Sequence, residues 1–317
     1  MQAVQAQNFR ELCSRIEHNV NRVMIGKQKV IESLLIALSA GGHVLIEDVP
    51  GIGKTTLVSA LAKSLSLSFK RIQFTPDLMP SDVTGFNLYN QKTGKFEFQA
   101  GGVMSQIVLA DEINRTSPKT QSALLEVMQE NQVTVDGVSY QMPEPFIVLA
   151  TQNPVDHVGT YPLPEAQLDR FMLKIDLGYP SIDEEVEILN LYSDDYDLPE
   201  IQAVADSNDV IWMRQQAQKV HCAQSVKRYI SELVAATRQH PDIQLGASPR
   251  ASKMLMQAAK SRALIKGREY VRPDDVQALA VSVLAHRISL TAESRLKRIS
   301  PEDAVHSVLK QVAVPER

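Results

Sequence analysis

The sequence predicts an α/β fold in which a parallel sheet is flanked by helices, carries two β-hairpin inserts and is followed by an all-helical region. Three observations carry this. Short apolar runs, "HVLIED", "SFKRIQF", "SQIVLADE", "PFIVLATQN" and "FMLKIDLG", alternate with segments of helical periodicity. Runs this apolar belong to strands buried on both faces, the setting of a parallel sheet covered by helices. From Ser181 onward strand signals vanish and capped helices follow one another. Third, "FNLYNQKTGKFEFQAGG" and "QVTVDGVSY" place Thr93 with Gly94, and Asp136 with Gly137, between alternating strands. These are hairpin signals that a minimal parallel sheet does not need, so they read as insertions near 86–102 and 131–143.

Taken in order, residues 7–38 repeat apolar positions at helical spacing, with Gly26 as an interruption and Gly41 and Gly42 as the stop, so two helices precede the first strand. The five strands and two hairpins follow. In the C-terminal part, "SIDEEVEILNLY" opens with a capping box of Ser181 and Glu184. "SPRASKMLMQAAKSRALIKG" has Ser248 as N-cap, Pro249 at the first position and Gly267 beyond the end. "RPDDVQALAVSVLAHRI" and "SPEDAVHSVLKQV" add two more helices. A boundary near Tyr179 and Pro180 divides the chain into an α/β core, 1–180, and a helical domain, 181–317.

The chain has 317 residues, 44% of them hydrophobic, enough for two domains with buried cores. Its formal charge of -4 gives no global electrostatic reason to bind nucleic acid or an acidic membrane. Cys13 and Cys222 fit no zinc or redox spacing and predict free thiols in a reducing compartment, and the seven histidines show no HExxH pairing. No basic-then-apolar leader opens the sequence, and no apolar run nears the ~20 residues of a membrane span. These features predict a soluble, cytoplasmic protein.

The chemistry starts at "GIGKTT", which follows a strand and opens a helix. It matches the core of a P-loop, where backbone N–H groups and a helix N-terminus cradle phosphate oxygens. Lys54 would reach the terminal phosphates and the Thr55 hydroxyl would ligate magnesium. Pro50, Gly51, Ile52, Gly53 and Thr56 complete the candidate loop, while Asp48 stands where the strict pattern has its first glycine. Magnesium needs a carboxylate anchor, and hydrolysis needs a group that orients water. "IVLADE" offers both, Asp111 for the ion and Glu112 for the water; an acidic pair at an exposed strand end is the bland alternative.

With these residues in place the chain resembles the AAA+ ATPases, and more narrowly the MoxR family, through "EDVPGIGKT", "LADEINRTSPKTQSALLEVMQE", "VLATQNP", "YPLPEAQLDRFM" and "SPRA", in that order across roughly residues 23–306. The resemblance implies an AAA+ P-loop core, an all-α lid, ATP with Mg2+ as cofactors, and further roles. Asn153 matches the sensor 1 residue, able to hydrogen-bond both γ-phosphate and water, or else simply forms a turn before Pro154. Arg170 matches the arginine finger that reaches a neighbouring subunit's nucleotide, or pairs locally with Asp169 or Asp176. Arg250 matches sensor 2. As a cation in the first turn of a helix it asks for an anion, either phosphate or a neighbouring acidic side chain. Ile25 and Gly26 match the adenine-pocket segment. Arg115 and Lys119 are weaker candidates at a subunit boundary.

Together these imply a magnesium-dependent ATPase acting as a homo-oligomer, a hexameric ring in relatives, on a protein client, with a chaperone-like output and in some cases a von Willebrand factor A-domain partner. Nucleic acid is not expected: the first hairpin offers only Lys92 and Lys95 with Glu97 close by, and the second has no Lys or Arg between Asn131 and Pro145. A helicase-like remodeller and a non-hydrolytic ATP-gated scaffold are the competing readings, and a small-molecule kinase is a third.

Overall fold

The five apolar runs become strands of one parallel sheet; its three central strands are covered on both faces as expected, whereas the run "SFKRIQF", at the edge, is not. The computed structural model describes residues 2–47, 49, 51–153, 159–193 and 200–315. In chain order the strands are β1 (Val44–Glu47), β2 (Phe69–Gln73), the hairpin β3 (Gly85–Asn90) and β4 (Lys95–Ala100), β5 (Ile107–Asp111), the hairpin β6 (Gln132–Val135) and β7 (Val138–Gln141), β8 (Ile147–Gln152) and β9 (Leu173–Ile175). The sheet runs β2-β5-β8-β1-β9, all parallel. Its central strands are buried throughout except at their carboxyl ends. The edge strand β2 instead exposes Lys70 and Arg71, charges that deter pairing with another chain.

The two-residue period of a strand sorts its side chains into two cores. Val44, Ile46, Leu109 and Leu149 join a cluster that runs from Phe9 and Ile16 of the helix Gln2–Asn21 to Leu255 and Val283 in the C-terminal helices. Leu45, Val108, Ala110 and Val148 face the other way, onto Leu124, Leu125 and Met128 of the helix Pro118–Glu130. Each fully buried Leu or Ile contributes about 1.5–3 kcal/mol, so the first cluster ties the N-terminal helices, one sheet face and the C-terminal helices into one cooperative body. Ion pairs follow the same seam: Glu32 in the helix Gln28–Ala40 meets Lys266 at 2.9 Å. The fully buried Asp275 accepts from Arg262 at 2.6 Å and from Arg268 at 2.7 Å.

Both hairpins form where the turn chemistry places them. Asp136 and Gly137 adopt φ 49° and 80°, the double left-handed turn for which Gly and Asp are suited. The first hairpin closes through residues 91–94 with Gly94 at φ 70°. The two are joined: Phe98 stacks on Tyr140 with centroids 3.9 Å apart, and Asn87 Nδ2 donates to Asp136 Oδ2 at 2.8 Å. Phe86, Leu88, Tyr89 and Phe96 stay exposed on the first hairpin.

Beyond β9 the helices Ile182–Ser193, Ser207–Lys219, Gln224–Thr237, Pro249–Ile265, Pro273–Leu284 and Pro301–Gln311 form the helical region. The capping box is present: Ser181 N–H donates to Glu184 Oε2 at 2.7 Å, and Ser248 Oγ accepts from the Arg250 N–H at 3.2 Å. A short antiparallel ribbon, β10 (Ile243–Leu245) with β11 (Ser289–Leu290), sits among them, too short to show a period in the sequence. Cys13 and Cys222 are free and buried. No helix among the described residues is long and apolar enough to cross a membrane.

His43 fixes the start of β1. Its Nδ1 accepts from the Val148 N–H at 2.9 Å, so its Nε2 carries the proton donated to Met128 O at 3.0 Å, and the ring is neutral. Burial pushes its pKa from 6.5 down to about 4, against the smaller opposing effect of the Met128 bond. The unfolded chain therefore binds this proton more readily. The stabilisation is complete above pH 6.5 and is lost as pH falls towards 4, a contribution of about 3 kcal/mol. Urea midpoints measured across that range should fall on acidification, and His43→Gln should shallow the slope while lowering stability at neutral pH.

Candidate functional site

The parallel sheet sends the carboxyl ends of β1, β5 and β8 to one edge, and the candidate residues follow those ends. After β1 the chain turns through Gly51 at φ 87° and Gly53 at φ 88°, then enters the helix Lys54–Ser64. A side chain at Gly51 would meet nothing within 4 Å, so the left-handed backbone is what asks for glycine there. Ile52 packs on the core, and Lys54, Thr55 and Thr56 form the first helical turn, where the helix dipole favours an anion. Asp48 and Pro50 lie outside the described residues.

A cleft of about 240 Å³ opens at this turn. Gly51, Gly53, Lys54, Thr55 and Thr56 line one side; Asp111, Glu112 and Asn153 line another, with Arg71 and Gln73 from β2. A larger depression of about 480 Å³ between Val226, Tyr270 and Val314 brings together no comparable set of phosphate-binding and acidic groups.

Glu112 adopts φ 57° and ψ 49°, a left-handed conformation that costs a non-glycine residue about 1 kcal/mol or more and is concentrated at functional positions. Its N–H donates to Thr151 Oγ1 at 2.8 Å, and that hydroxyl donates to Asp111 Oδ1 at 2.5 Å. One buried threonine on β8 thus holds the Asp111 carboxylate and the Glu112 backbone. Asp111 Oδ2 accepts from Arg71 Nε at 3.0 Å and Nη2 at 2.6 Å. Glu112 Oε2 accepts from Gln73 Nε2 at 2.8 Å and Arg115 Nη1 at 3.2 Å. Asn153 is buried at the end of β8, where its carbonyl accepts from Asn114 Nδ2 at 3.3 Å.

Among the described residues no three His, Cys, Asp or Glu converge as a metal cage. A hydroxyl at Thr55 and a carboxylate at Asp111, lining one cleft with the glycine turn, nevertheless suit magnesium, which takes few protein ligands and completes its shell with water and other oxygen ligands.

Arg170 and Arg250 do not line this cleft; they lie together elsewhere. Arg170 Nη1 donates to Leu125 O at 2.6 Å, its Nε has no partner among the described residues, and burial together with Arg250 holds its pKa below the ordinary value. Asp169 does not pair with Arg170. It accepts from Ser248 Oγ at 3.0 Å and Arg287 Nε at 2.9 Å, and lies 3.9 Å from Arg250 Nη1. The acidic neighbour that Arg250's helix position asks for is therefore present. Arg287 is buried, its pKa pushed down to about 10 by desolvation, partly offset by Asp169. It also donates to Phe171 O and Val283 O, bracing the end of one segment on another.

Ile25 and Gly26 also lie outside the lining of the cleft. A Cβ on Gly26 would sit 1.8 Å from Glu184 Oε1, so this turn lies beneath the helix Ile182–Ser193, and next to it Lys27 Nζ donates to Leu177 O at 2.8 Å. Arg71, Gln73, Thr151 and Arg287 are the site neighbours that the sequence did not single out. The period of "KRIQF", which places Arg71 and Gln73 on one face of an edge strand, was the available signal for the first two.

Thr151→Val keeps the volume and removes the hydroxyl that serves Asp111 and the Glu112 N–H. It should lower stability by about 1–3 kcal/mol in denaturant titration and depress nucleotide turnover more than nucleotide binding.

The ATPase family associated with various cellular activities (AAA) matches residues 43–173, and the AAA lid domain matches residues 235–308. The chain is 54% identical to the uncharacterised protein YeaC of Bacillus subtilis over 95% of its own length and 93% of that protein. It is 42% identical to chaperone MoxR1 of Mycobacterium tuberculosis over 94% of its length and 81% of that protein. A crystal structure from Cytophaga hutchinsonii, named for a proposed ATPase, superposes with a TM-score of 0.92 at 42% identity, covering 98% of this chain and 97% of that one.

Proposed function

Since the chain belongs to the MoxR family of AAA+ ATPases, we propose that it hydrolyses magnesium ATP as a homo-oligomeric, hexameric ring and spends the cycle on chaperone-like remodelling or maturation of a protein client. The observation that supports this most is the placement of Asp111 and Glu112, the carboxylate of one and the backbone of the other held by one threonine, opposite the turn at residues 51–53 and Lys54.

In this reading backbone N–H groups of the turn and Lys54 bind the β- and γ-phosphates, with Pro50 and Ile52 shaping the loop and Thr56 beside it. Thr55 and Asp111 would hold magnesium, which when bound would supply charge neutralisation. Glu112 takes a proton from water held in line with the leaving group, and Asn153 orients that water against the γ-phosphate. Ile25 and Gly26 accept the adenine. The helical part from residue 181 serves as a lid over the core at 1–180. Arg250 in that lid answers the phosphate, leaving Asp169 to Arg287. Arg170 completes the site of the next subunit.

The exposed Phe86, Leu88, Tyr89 and Phe96 favour a protein client over nucleic acid, because an apolar aromatic surface with two lysines gives little to a phosphate backbone. A von Willebrand factor A-domain protein is a candidate partner.

Turnover per subunit, measured over a wide protein concentration range beside light scattering, tests the reading. Specific activity should rise with assembly. Glu112→Gln should keep ATP binding and lose about 10²–10⁴-fold in turnover, and Arg170→Ala should lose about 10³-fold or more without losing assembly. Concentration-independent turnover indifferent to Arg170→Ala would remove the shared site, and binding without turnover in the parent would leave a nucleotide-gated scaffold.

A further inference from the structure

Arg71 lines the same cleft as Lys54 and the two carboxylates, and the reaction described above makes no use of it. Its position is well defined for a side chain that is 48% exposed. Nε and Nη2 both donate to Asp111 Oδ2, at 3.0 and 2.6 Å, and Nη2 donates again to Gln73 Oε1 at 2.9 Å. A carboxylate oxygen offers two acceptor sites. Oδ2 of Asp111 is therefore fully engaged, while Oδ1 already accepts from Thr151 Oγ1 at 2.5 Å.

That leaves little of Asp111 for a metal. A divalent cation approaching this carboxylate, whether directly or through its water shell, meets a guanidinium of like charge on the same group. Two cations sharing one carboxylate repel, and the one with room to move is the half-exposed arginine on the edge strand β2. Asp111 itself is only 14% exposed and is held from its other side by Thr151.

Resting on the ATPase reading above, we propose that Arg71 gates the metal side of the site: its guanidinium holds Asp111 in the absence of magnesium nucleotide and must leave that carboxylate when the ion is taken up. Arg71 is a positioning residue that acts through Asp111. It sets how much free magnesium the site needs, and it adds nothing to nucleotide binding in the absence of the metal.

The test uses the full chain and a fluorescent, non-hydrolysable ATP analogue, with binding followed as magnesium is titrated from chelated buffer upward. Arg71→Ala should lower the magnesium concentration at half-maximal response by about two- to fivefold, the range set by loss of a partly exposed ion pair. Arg71→Lys, which keeps a cation, should stay nearer the parent, and analogue binding without magnesium should be the same in all three. A midpoint unchanged or raised in Arg71→Ala, with the melting temperature of the parent retained, overturns the gate and makes Arg71 a brace for Asp111. Weaker metal-free binding in Arg71→Ala also overturns it, making Arg71 a phosphate contact. If Arg71→Ala melts early, Arg71→Gln is titrated in its place against the same expectations. A parent that binds no analogue at any magnesium concentration removes the ATPase reading itself, an outcome distinct from failure of the gate.

Discussion

The parallel pairing of β1 and β5 with β8 is the constraint on which the rest of the site depends. In that register Val44 lies opposite Leu149 and Ile107 opposite Ile147, so three strands finish on the same edge. Antiparallel pairing would have sent one of those ends to the far side. The candidate residues then sit at or shortly beyond strand ends: the glycine turn a few residues after β1, Asp111 as the last residue of β5 with Glu112 next to it, and Asn153 directly after β8. The sheet itself contributes no chemistry. It provides a floor buried on both faces, whose packing leaves these short segments few ways to move.

A second constraint is the way the helical region is anchored to that floor. Asp169, just before β9, gathers Ser248 from the start of one helix and Arg287 from the end of another. Arg287 is nearly inaccessible and satisfies backbone carbonyls as well as the aspartate, so removing Asp169 would strand its charge in an apolar setting. Arg250 shares the same aspartate at longer range and remains partly exposed. Its tie is the looser of the two, and it is the arginine with freedom to exchange one anion for another.

Much of this was legible in the sequence because it is written in local patterns. The five strands were announced by apolar runs, the second hairpin by Asp136 and Gly137, the helix starts by Ser181 and Ser248, and the tight turn after β1 by the glycines ahead of Lys54 and Thr55. What stayed hidden depends on partners brought together only by the fold. Arg71 and Asp111 are 40 residues apart, and "SFKRIQF" reads as one more strand buried on both faces, whereas β2 lies at the sheet edge with Arg71 exposed. Thr151 looks like one more β-branched residue in a buried run. Asp169 stands beside Arg170 in the chain, yet the backbone turn sends it to Arg287, 118 residues away, and leaves Arg170 to the carbonyl of Leu125. Adjacency in sequence is a poor guide to pairing wherever a tight turn points neighbours in different directions.

The contact between the two hairpins has a mechanical meaning. A lone two-stranded ribbon is a compliant object that bends at its base and twists along its length. Phe98 stacked on Tyr140 and the bond from Asn87 to Asp136 cross-brace two such ribbons at separate points. Their roots are far apart along the chain: one emerges after β2, the other directly follows the helix Pro118–Glu130. A load applied at either tip is therefore shared between both roots, and a displacement of either root swings both tips. Braced at two points, the pair resists bending and twisting as a truss does, and the exposed aromatic surface of the first hairpin rests on both roots rather than one.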